Sequence, residues 1–170
     1  MIPRWTLEDG RCRPLAEIIL SIARNRRAYG ARPGDVRYFI DRPLLDHPQT
    51  HQRDGIKYSI RHHMHTRGAV GTGVSLLHLE HAVPVSVLWN HVCAMSDAGA
   101  GAEEVVEFLG KACRVAVMTR HEHAGFARIG LKDRMPPGWD PTDPGVDPWA
   151  RYRVAGVELL APVGLDNKFL

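Results

Sequence analysis

The chain has 170 residues, of which 44% are hydrophobic and 24% charged, and its formal net charge is +3. This composition is typical of one globular domain, or of one domain with a small appendage, and it excludes a low-complexity or disordered chain. There is no apolar run of membrane-spanning length, no signal-peptide stretch at the N-terminus and no Cys-x-x-Cys pair, so we expect a cytoplasmic protein with reduced thiols and no membrane partner.

The N-terminal part predicts a helix followed by a basic, loop-rich arm. Apolar residues recur with helical spacing over residues 14–29, between a proline and a glycine. Prolines interrupt residues 31–55, where the pattern predicts at most a short helix over residues 35–41. Residues 56–61 alternate between apolar and polar like a short strand, and a helix is nearly as consistent with them.

The middle of the chain predicts two apolar strands separated by two helices. The strands are expected over residues 74–79 and 114–118, and helical patterns fill the segment between them. Thr119 is placed to cap a further helix, with Glu122 three residues later as the partner in a capping box.

Together these elements predict an α+β fold in three parts. Residues 1–73 would form an N-terminal helix and basic arm packed on a core, residues 74–130 the core itself, and residues 131–170 a C-terminal wrap rich in proline and glycine. A short helix is expected over residues 149–155. The core would have two strands and a helix, with helices inserted between the strands.

Candidate catalytic side chains stand at the ends of the two predicted strands. Glu80 and His81 follow the first strand, and His123 lies on the first turn of the helix behind the second strand. If that helix packs across both strands, the carboxylate and the two imidazoles converge on one cleft. Glu80 and His123 could there hold a divalent cation against a phosphodiester, while His81 takes a proton from the attacking water.

The same segments also allow purely structural interpretations. Glu122 can be a capping acid with no further role, and His121 and His123 can belong to a solvated helix face. His78 and His81 are three residues apart and face opposite sides of a strand, so one of them can be a buried, hydrogen-bonded histidine. His78, His121 and Glu122 are therefore additional candidates for the site.

The order of these motifs resembles the ββα-metal core of HNH endonucleases over residues 74–130. The sequence Glu-His-Ala-Val-Pro at residues 80–84 is similar to the Asp-His-Ile-Ile-Pro type of motif that opens this core. Residues 115–123 resemble the strand and helix that close it, often written as an apolar strand followed by Cys-x-x-Cys-His.

The resemblance implies a role for each of three residues. His81 would be the general base, and Glu80 and His123 would be ligands of a divalent ion. The ion would be Mg²⁺ or Mn²⁺, with Zn²⁺ or Ni²⁺ as alternatives. The fold implied is a small ββα-metal core with a helical insertion and helical or loop-rich flanks.

The chain also departs from the HNH pattern in two places. Thr119 and Glu122 occupy the positions of the two structural cysteines, so the optional zinc knuckle of the family is absent. The middle asparagine, which orients the base, would fall at Cys113 or Arg114, and Asn90 lies too early in the chain to replace it.

Basic residues before the first predicted strand indicate a nucleic-acid partner. We expect Lys57, Arg61, His63 and Arg67 to lie along the backbone of double-stranded DNA, where phosphate contacts dominate affinity. Cleavage of both strands by a nuclease with one site per chain favours a homodimer.

The function predicted first is a metal-dependent endonuclease that hydrolyses DNA phosphodiester bonds, of a phage or of a restriction or defence system. A catalytically silent nucleic-acid-binding protein on the same scaffold is the second hypothesis, because the middle asparagine is missing. The third is a zinc-binding structural protein that uses His62, His63 or His65 together with His121 or His123.

Overall fold

The computed structural model describes residues 4–45 and 63–161, which form helices around a four-stranded sheet. The helices are α1 (Cys12–Arg24), α2 (Arg26–Tyr29), α3 (Pro33–Leu45), α4 (Val85–Asp97), α5 (Ala102–Ala112), α6 (Arg120–Arg128) and α7 (Ala150–Val154). The strands are β1 (Met64–Thr66), β2 (Leu77–His81), β3 (Val115–Thr119) and β4 (Leu159–Leu160). The fold is therefore α+β, as predicted.

The two strands predicted from the sequence are β2 and β3, which pair antiparallel in a sheet of order β2-β3-β1-β4. Each begins and ends slightly later than expected. The Val74–Leu76 segment forms a 3₁₀ turn instead of a strand. The ladder between the two strands stops where Leu77 faces Thr119, because α6 begins at the next residue and leaves the preceding segment no partner.

Two strands were not predicted at all. In β1, His65 pairs with Val117 of the parallel β3 on one side and with Leu160 of the antiparallel β4 on the other. The sheet thus draws strands from all three predicted parts of the chain. The strand expected over residues 56–61 lies outside the described residues.

The helix predicted over residues 14–29 is divided into α1 and α2. Asn25 lies between them with non-helical backbone angles, and its side-chain amide donates to the Ser21 carbonyl at 2.8 Å. The short helix expected over residues 35–41 is longer at both ends. Residues 135–148, which belong to the predicted C-terminal wrap, are irregular.

The sheet separates two apolar layers, because successive residues of a strand point to opposite faces. Ala116 and Met118 of β3 pack with Phe126 of α6 and Tyr152 of α7 on one face. Val115 faces the other side and packs with the larger group of helices α1, α3, α4 and α5. Across residues 4–45 and 63–161, none of the helices combines the length and apolar character that a membrane crossing needs.

We expect the buried histidine of the central strand to make the fold sensitive to acid. Burial lowers the pKa of His65 from its ordinary value of 6.5, and a hydrogen bond with the backbone of His63 opposes this only in part. The unfolded chain therefore binds more protons than the folded protein as the pH falls below about 6.5, and stability is lost in that window. Urea unfolding at about pH 7.5 and about pH 5.5 should show a smaller acid-induced loss in His65→Gln than in the wild type.

The exposed His121 supplies the control for this measurement. His121→Gln should keep the pH dependence of the wild type, since its side chain is exposed on α6. An identical pH dependence in His65→Gln and wild type would contradict the role given to burial of His65.

Candidate metal centre

His78, Glu80 and His123, which we call the His/Glu cluster, lie together on the α6 side of the sheet. His78 and Glu80 are two residues apart on β2 and therefore share a face. His123 lies on the first turn of α6, which contacts both β2 and β3. Nε2 of each histidine is 3.4 Å from Glu80 Oε2, and the two imidazole ring centroids are 4.3 Å apart.

These distances suit a small divalent ion. Zinc binds imidazole nitrogen and carboxylate oxygen at about 2.0–2.2 Å, which places two ligand atoms of a tetrahedral ion about 3.4 Å apart. The ligand atoms of all three residues lie within 4.8 Å of one another. Two imidazoles and one carboxylate are donors typical of zinc and neighbouring transition metals, whereas magnesium prefers oxygen ligands.

The His/Glu cluster is partly open to solvent. The exposed fractions of the side chains are 40% for His78, 32% for His123 and 14% for Glu80. Three protein ligands leave a tetrahedral ion one further position, and this exposure lets water or a substrate reach it. Structural zinc sites normally close all four positions with protein ligands.

Glu80 is held in place by Arg151, which is fully buried. Arg151 Nη2 donates to Glu80 Oε1 and to the main-chain carbonyl of His81. Its Nε donates to the carbonyl of Ala82 and its Nη1 to that of Leu131, both at 2.9 Å. Because Arg151 engages Oε1, the other carboxylate oxygen is the one presented to the two histidines.

Arg151 is a site residue that the sequence did not reveal. It comes from α7, far along the chain from Glu80, and its guanidinium lies 4.5 Å from the Phe126 ring centroid. The only local signal is a charged residue in a short helix that begins after Trp149 and contains the buried Tyr152. A charge in such an apolar setting needs a buried partner.

The electrostatic setting favours the metal-binding form of His78. Burial lowers the pKa of its imidazole, the neighbouring His123 acts in the same direction, and Glu80 opposes them. A lowered pKa keeps the ring neutral near pH 7, and only the neutral ring has a lone pair for a metal ion.

His81 does not join the His/Glu cluster. Its side chain is 9% exposed and lies on the opposite face of β2, where Nε2 is 2.7 Å from Asp41 Oδ1 on α3. Neighbouring residues of a regular strand cannot line the same cleft, and Glu80 and His81 are neighbours. The structure brings Glu80 and His123 together as predicted, and it gives no support to His81 as the general base.

The two additional candidates on α6 have different environments. His121 is exposed and lies outside the His/Glu cluster. Glu122 forms the predicted capping box, in which its Oε2 accepts from the Thr119 backbone N–H at 2.9 Å. The same oxygen accepts from the Thr66 hydroxyl at 2.7 Å, so Glu122 also joins α6 to β1. A Cβ on Gly68 would come within 2.6 Å of the Glu122 carboxylate, which explains the glycine at that position.

Of the four residues predicted to contact DNA, two lie within the described part of the chain, and one of these is buried. Lys57 and Arg61 lie outside the described residues. His63 is only 1% exposed, so its side chain is not placed to meet a phosphate, and this prediction is not supported. Arg67 is exposed and forms a bidentate ion pair with Glu158.

The alternative zinc site is not formed within residues 63–161. His63 and His65 are both buried, and neither belongs to the group with metal-binding spacing, which contains His123 alone of the histidines named for that site. His62 lies outside the described residues.

Comparisons with family models, with curated proteins and with solved structures find no match to this chain. The resemblance to HNH endonucleases thus depends on the motifs of residues 74–130 alone. The function has to be inferred from the geometry of the His/Glu cluster.

Proposed function

We propose that the protein is a metal-dependent hydrolase centred on the His/Glu cluster, and that its substrate is a DNA phosphodiester. One observation carries the proposal. Two imidazoles converge on one carboxylate oxygen of Glu80, while the buried Arg151 holds the other oxygen. Catalytic metal sites combine nitrogen and oxygen ligands, an outer residue that orients a ligand, and one coordination position that solvent or substrate can reach.

In such a centre the ion, Glu80 and Arg151 would each have a separate role. A divalent ion there would polarise a phosphoryl oxygen and lower the pKa of a bound water. Glu80 supplies the only negative charge among the three ligands, so the loaded site keeps a net positive charge that attracts an anionic ester. Arg151 keeps the carboxylate from rotating, and no separate base on β2 is required.

The metal ion and the DNA substrate are inferred from different observations. The His/Glu cluster itself would serve any phosphate ester. An HNH-like nuclease is indicated by the order of the motifs along the chain. An acidic residue lies near the end of one strand, and a histidine lies on the helix that follows the next strand of the core. The positive net charge of the chain agrees with a polyanionic substrate.

A plasmid-nicking assay tests the proposal. Wild-type protein stripped of metal should convert supercoiled plasmid to open circles when Zn²⁺, Mn²⁺, Co²⁺ or Ni²⁺ is added. His123→Ala should lose this activity, whereas His121→Ala, two residues away on the same helix, should retain it. Cleavage with no ion at all, or equal cleavage by the two variants, would overturn the proposal.

The position of His81 favours a second candidate function, a nucleic-acid-binding protein without catalysis. His81, at the position of the general base in HNH endonucleases, is hydrogen-bonded to Asp41 on the face of β2 opposite the His/Glu cluster. This alternative predicts that the wild type binds duplex DNA with a strong dependence on salt and leaves the plasmid intact with every ion.

A further inference from the structure

The positive charge of the chain is concentrated in one segment. Residues 24–42 contain six arginines and two aspartates, a net charge of +4, whereas the whole chain has a net charge of +3. The remaining residues therefore carry a net charge of −1. A surface that attracts a polyanion is accordingly expected within this segment.

The segment begins with a compact turn, in which α1 ends, the four-residue α2 follows and α3 begins. The Arg26 carbonyl accepts from the backbone N–H groups of Gly30 and Ala31, which closes the end of α2. Gly30 has a positive φ of 61°, which favours glycine. The Arg26 guanidinium donates to Asp97 at the end of α4 and to the Ala23 carbonyl, so the turn is fixed to the neighbouring helices.

Three arginines of this turn are available to a ligand. The side chains of Arg24, Arg27 and Arg32 are exposed. Across residues 4–45 and 63–161, none of the three forms an ion pair. The carboxylate of Asp35 accepts from the backbone N–H of Arg32 at 2.7 Å. The three guanidinium groups therefore keep N–H donors for an external anion.

The helix dipole favours the position of Arg24 but not that of Arg32. A cation is favourable at the C-terminus of a helix, and Arg24 is the last residue of α1. Arg32 directly precedes α3, at an N-terminus where the helix dipole opposes a positive charge. Stabilisation of helix ends thus does not explain why an arginine stands at position 32.

An exposed tyrosine ring lies between these arginines along the chain. Tyr29 is 78% exposed, the largest fraction among the large hydrophobic side chains that the structure describes. Tyr38, the next tyrosine, contacts the Phe39 ring and has the Arg42 guanidinium over its own ring. No such contact is found for Tyr29 within the described residues, and α2 buries none of its side chains. Packing in the core therefore does not account for this ring.

We infer that Arg24, Arg27, Tyr29 and Arg32, which we call the arginine corner, bind single-stranded DNA independently of the His/Glu cluster. Guanidinium groups bind phosphate oxygens, and an exposed tyrosine can stack on a base of a single strand, whereas the bases of a duplex stack on one another. An anionic membrane is a poorer match, because the arginine corner has no apolar helix face to insert. Binding there needs no metal ion, and only the choice of DNA over RNA rests on the proposed function.

Fluorescence anisotropy of a labelled single strand tests the inference. A thymidine oligonucleotide of about 15 nucleotides is titrated with the full chain, in a chelator and at several salt concentrations. Arg24→Gln combined with Arg27→Gln should bind at least about 10-fold more weakly. The slope of log affinity against log salt should become shallower by about 1.4, because two phosphate contacts are lost.

The matched control removes the same charge elsewhere. Arg13→Gln combined with Arg153→Gln alters two exposed arginines that have acidic partners, Glu17 and Asp147. This double variant should keep the affinity and the salt slope of the wild type. Equal losses in the two double variants would assign the binding to net charge and overturn the arginine corner.

Tyr29 is tested by two substitutions. Tyr29→Ala should bind the strand about 10-fold more weakly with the salt slope of the wild type, because a stacking contact carries no charge. Tyr29→Phe should match the wild type, because the ring is kept. Wild-type affinity in Tyr29→Ala would overturn the stacking role.

Other ligands distinguish the remaining outcomes. A duplex of the same length that binds as tightly as the single strand overturns the preference for single strands, and a uridine oligonucleotide that binds more tightly overturns the choice of DNA. Sedimentation with phosphatidylserine vesicles, without binding of any oligonucleotide, would assign the surface to a membrane and overturn the inference. Because these titrations are made in a chelator, a failed plasmid-nicking assay overturns the proposed function alone.

Discussion

Replacing Arg151 with methionine is expected to lower the free energy of unfolding by about 3–5 kcal/mol. The substitution removes a fully buried guanidinium while its partners stay in place. The Glu80 carboxylate loses its charged partner, and the main-chain carbonyls of Ala82 and Leu131 lose their donors. Breaking a buried pair from one side costs more than the pair contributes, because the remaining charge is left uncompensated. Urea unfolding of the metal-free protein measures this loss.

A neighbouring arginine supplies the control. Arg153 lies on the same helix, is exposed, and pairs with Asp147 at the surface. Arg153→Met should cost less than about 1 kcal/mol, as exposed ion pairs do. Adding Glu80→Gln to Arg151→Met should recover part of the lost stability, because the uncompensated charge is removed. Equal losses for the two arginines would contradict the role given to Arg151, and Arg151→Lys serves where the methionine variant does not fold.

The parts of the fold that could be predicted are those written locally in the sequence. The box between Thr119 and Glu122 sets the start of α6 through bonds between residues three apart, and such bonds can be read from spacing. The β1 and β4 strands have three and two residues, too few for a periodic pattern. The β1 segment forms a strand only because β3 and β4 pair with it, and the β4 segment only because it pairs with β1. Both strands therefore depend on tertiary contacts.

The candidate site could be predicted only in part, because only some of its contacts are set by local sequence. The pairing of β2 with β3 and the position of α6 bring Glu80 and His123 together, and the motif order indicated both. Strand alternation selects His78 as their partner and turns His81 to the other face of β2. The spacing of His78 and His81 indicated this separation, and what alternation rules out is the assignment of the adjacent Glu80 and His81 to one cleft. Arg151 could not be found, because nothing near it in sequence indicates that it packs against a strand about seventy positions earlier.

Glu80→Gln is expected to lower the affinity for a transition-metal ion by at least about 100-fold, more than the loss of an outer hydrogen bond would. The glutamine is nearly isosteric, but Arg151 can only donate hydrogen bonds and will orient the amide oxygen toward itself. The amide NH₂ then faces His78 and His123, where it offers the ion no lone pair. The variant thus loses both the negative charge and the ligand atom while the contact with Arg151 is kept.

Competition with a coloured chelator measures the affinity, and thermal unfolding checks it independently. An ion at 100 times its Kd should stabilise the wild type by about 2.7 kcal/mol, and at the same concentration a 100-fold weaker site gains only about 0.4 kcal/mol. Glu158→Gln, which alters an exposed acid paired with Arg67, should behave as the wild type. Stabilisation of Glu80→Gln equal to that of the wild type would mean that the ion does not bind at the His/Glu cluster, although this cluster is the one group with metal-binding spacing within residues 4–45 and 63–161. The hydrolase would then have no centre, because the histidines alone lack the charge and the third donor that hold a catalytic ion.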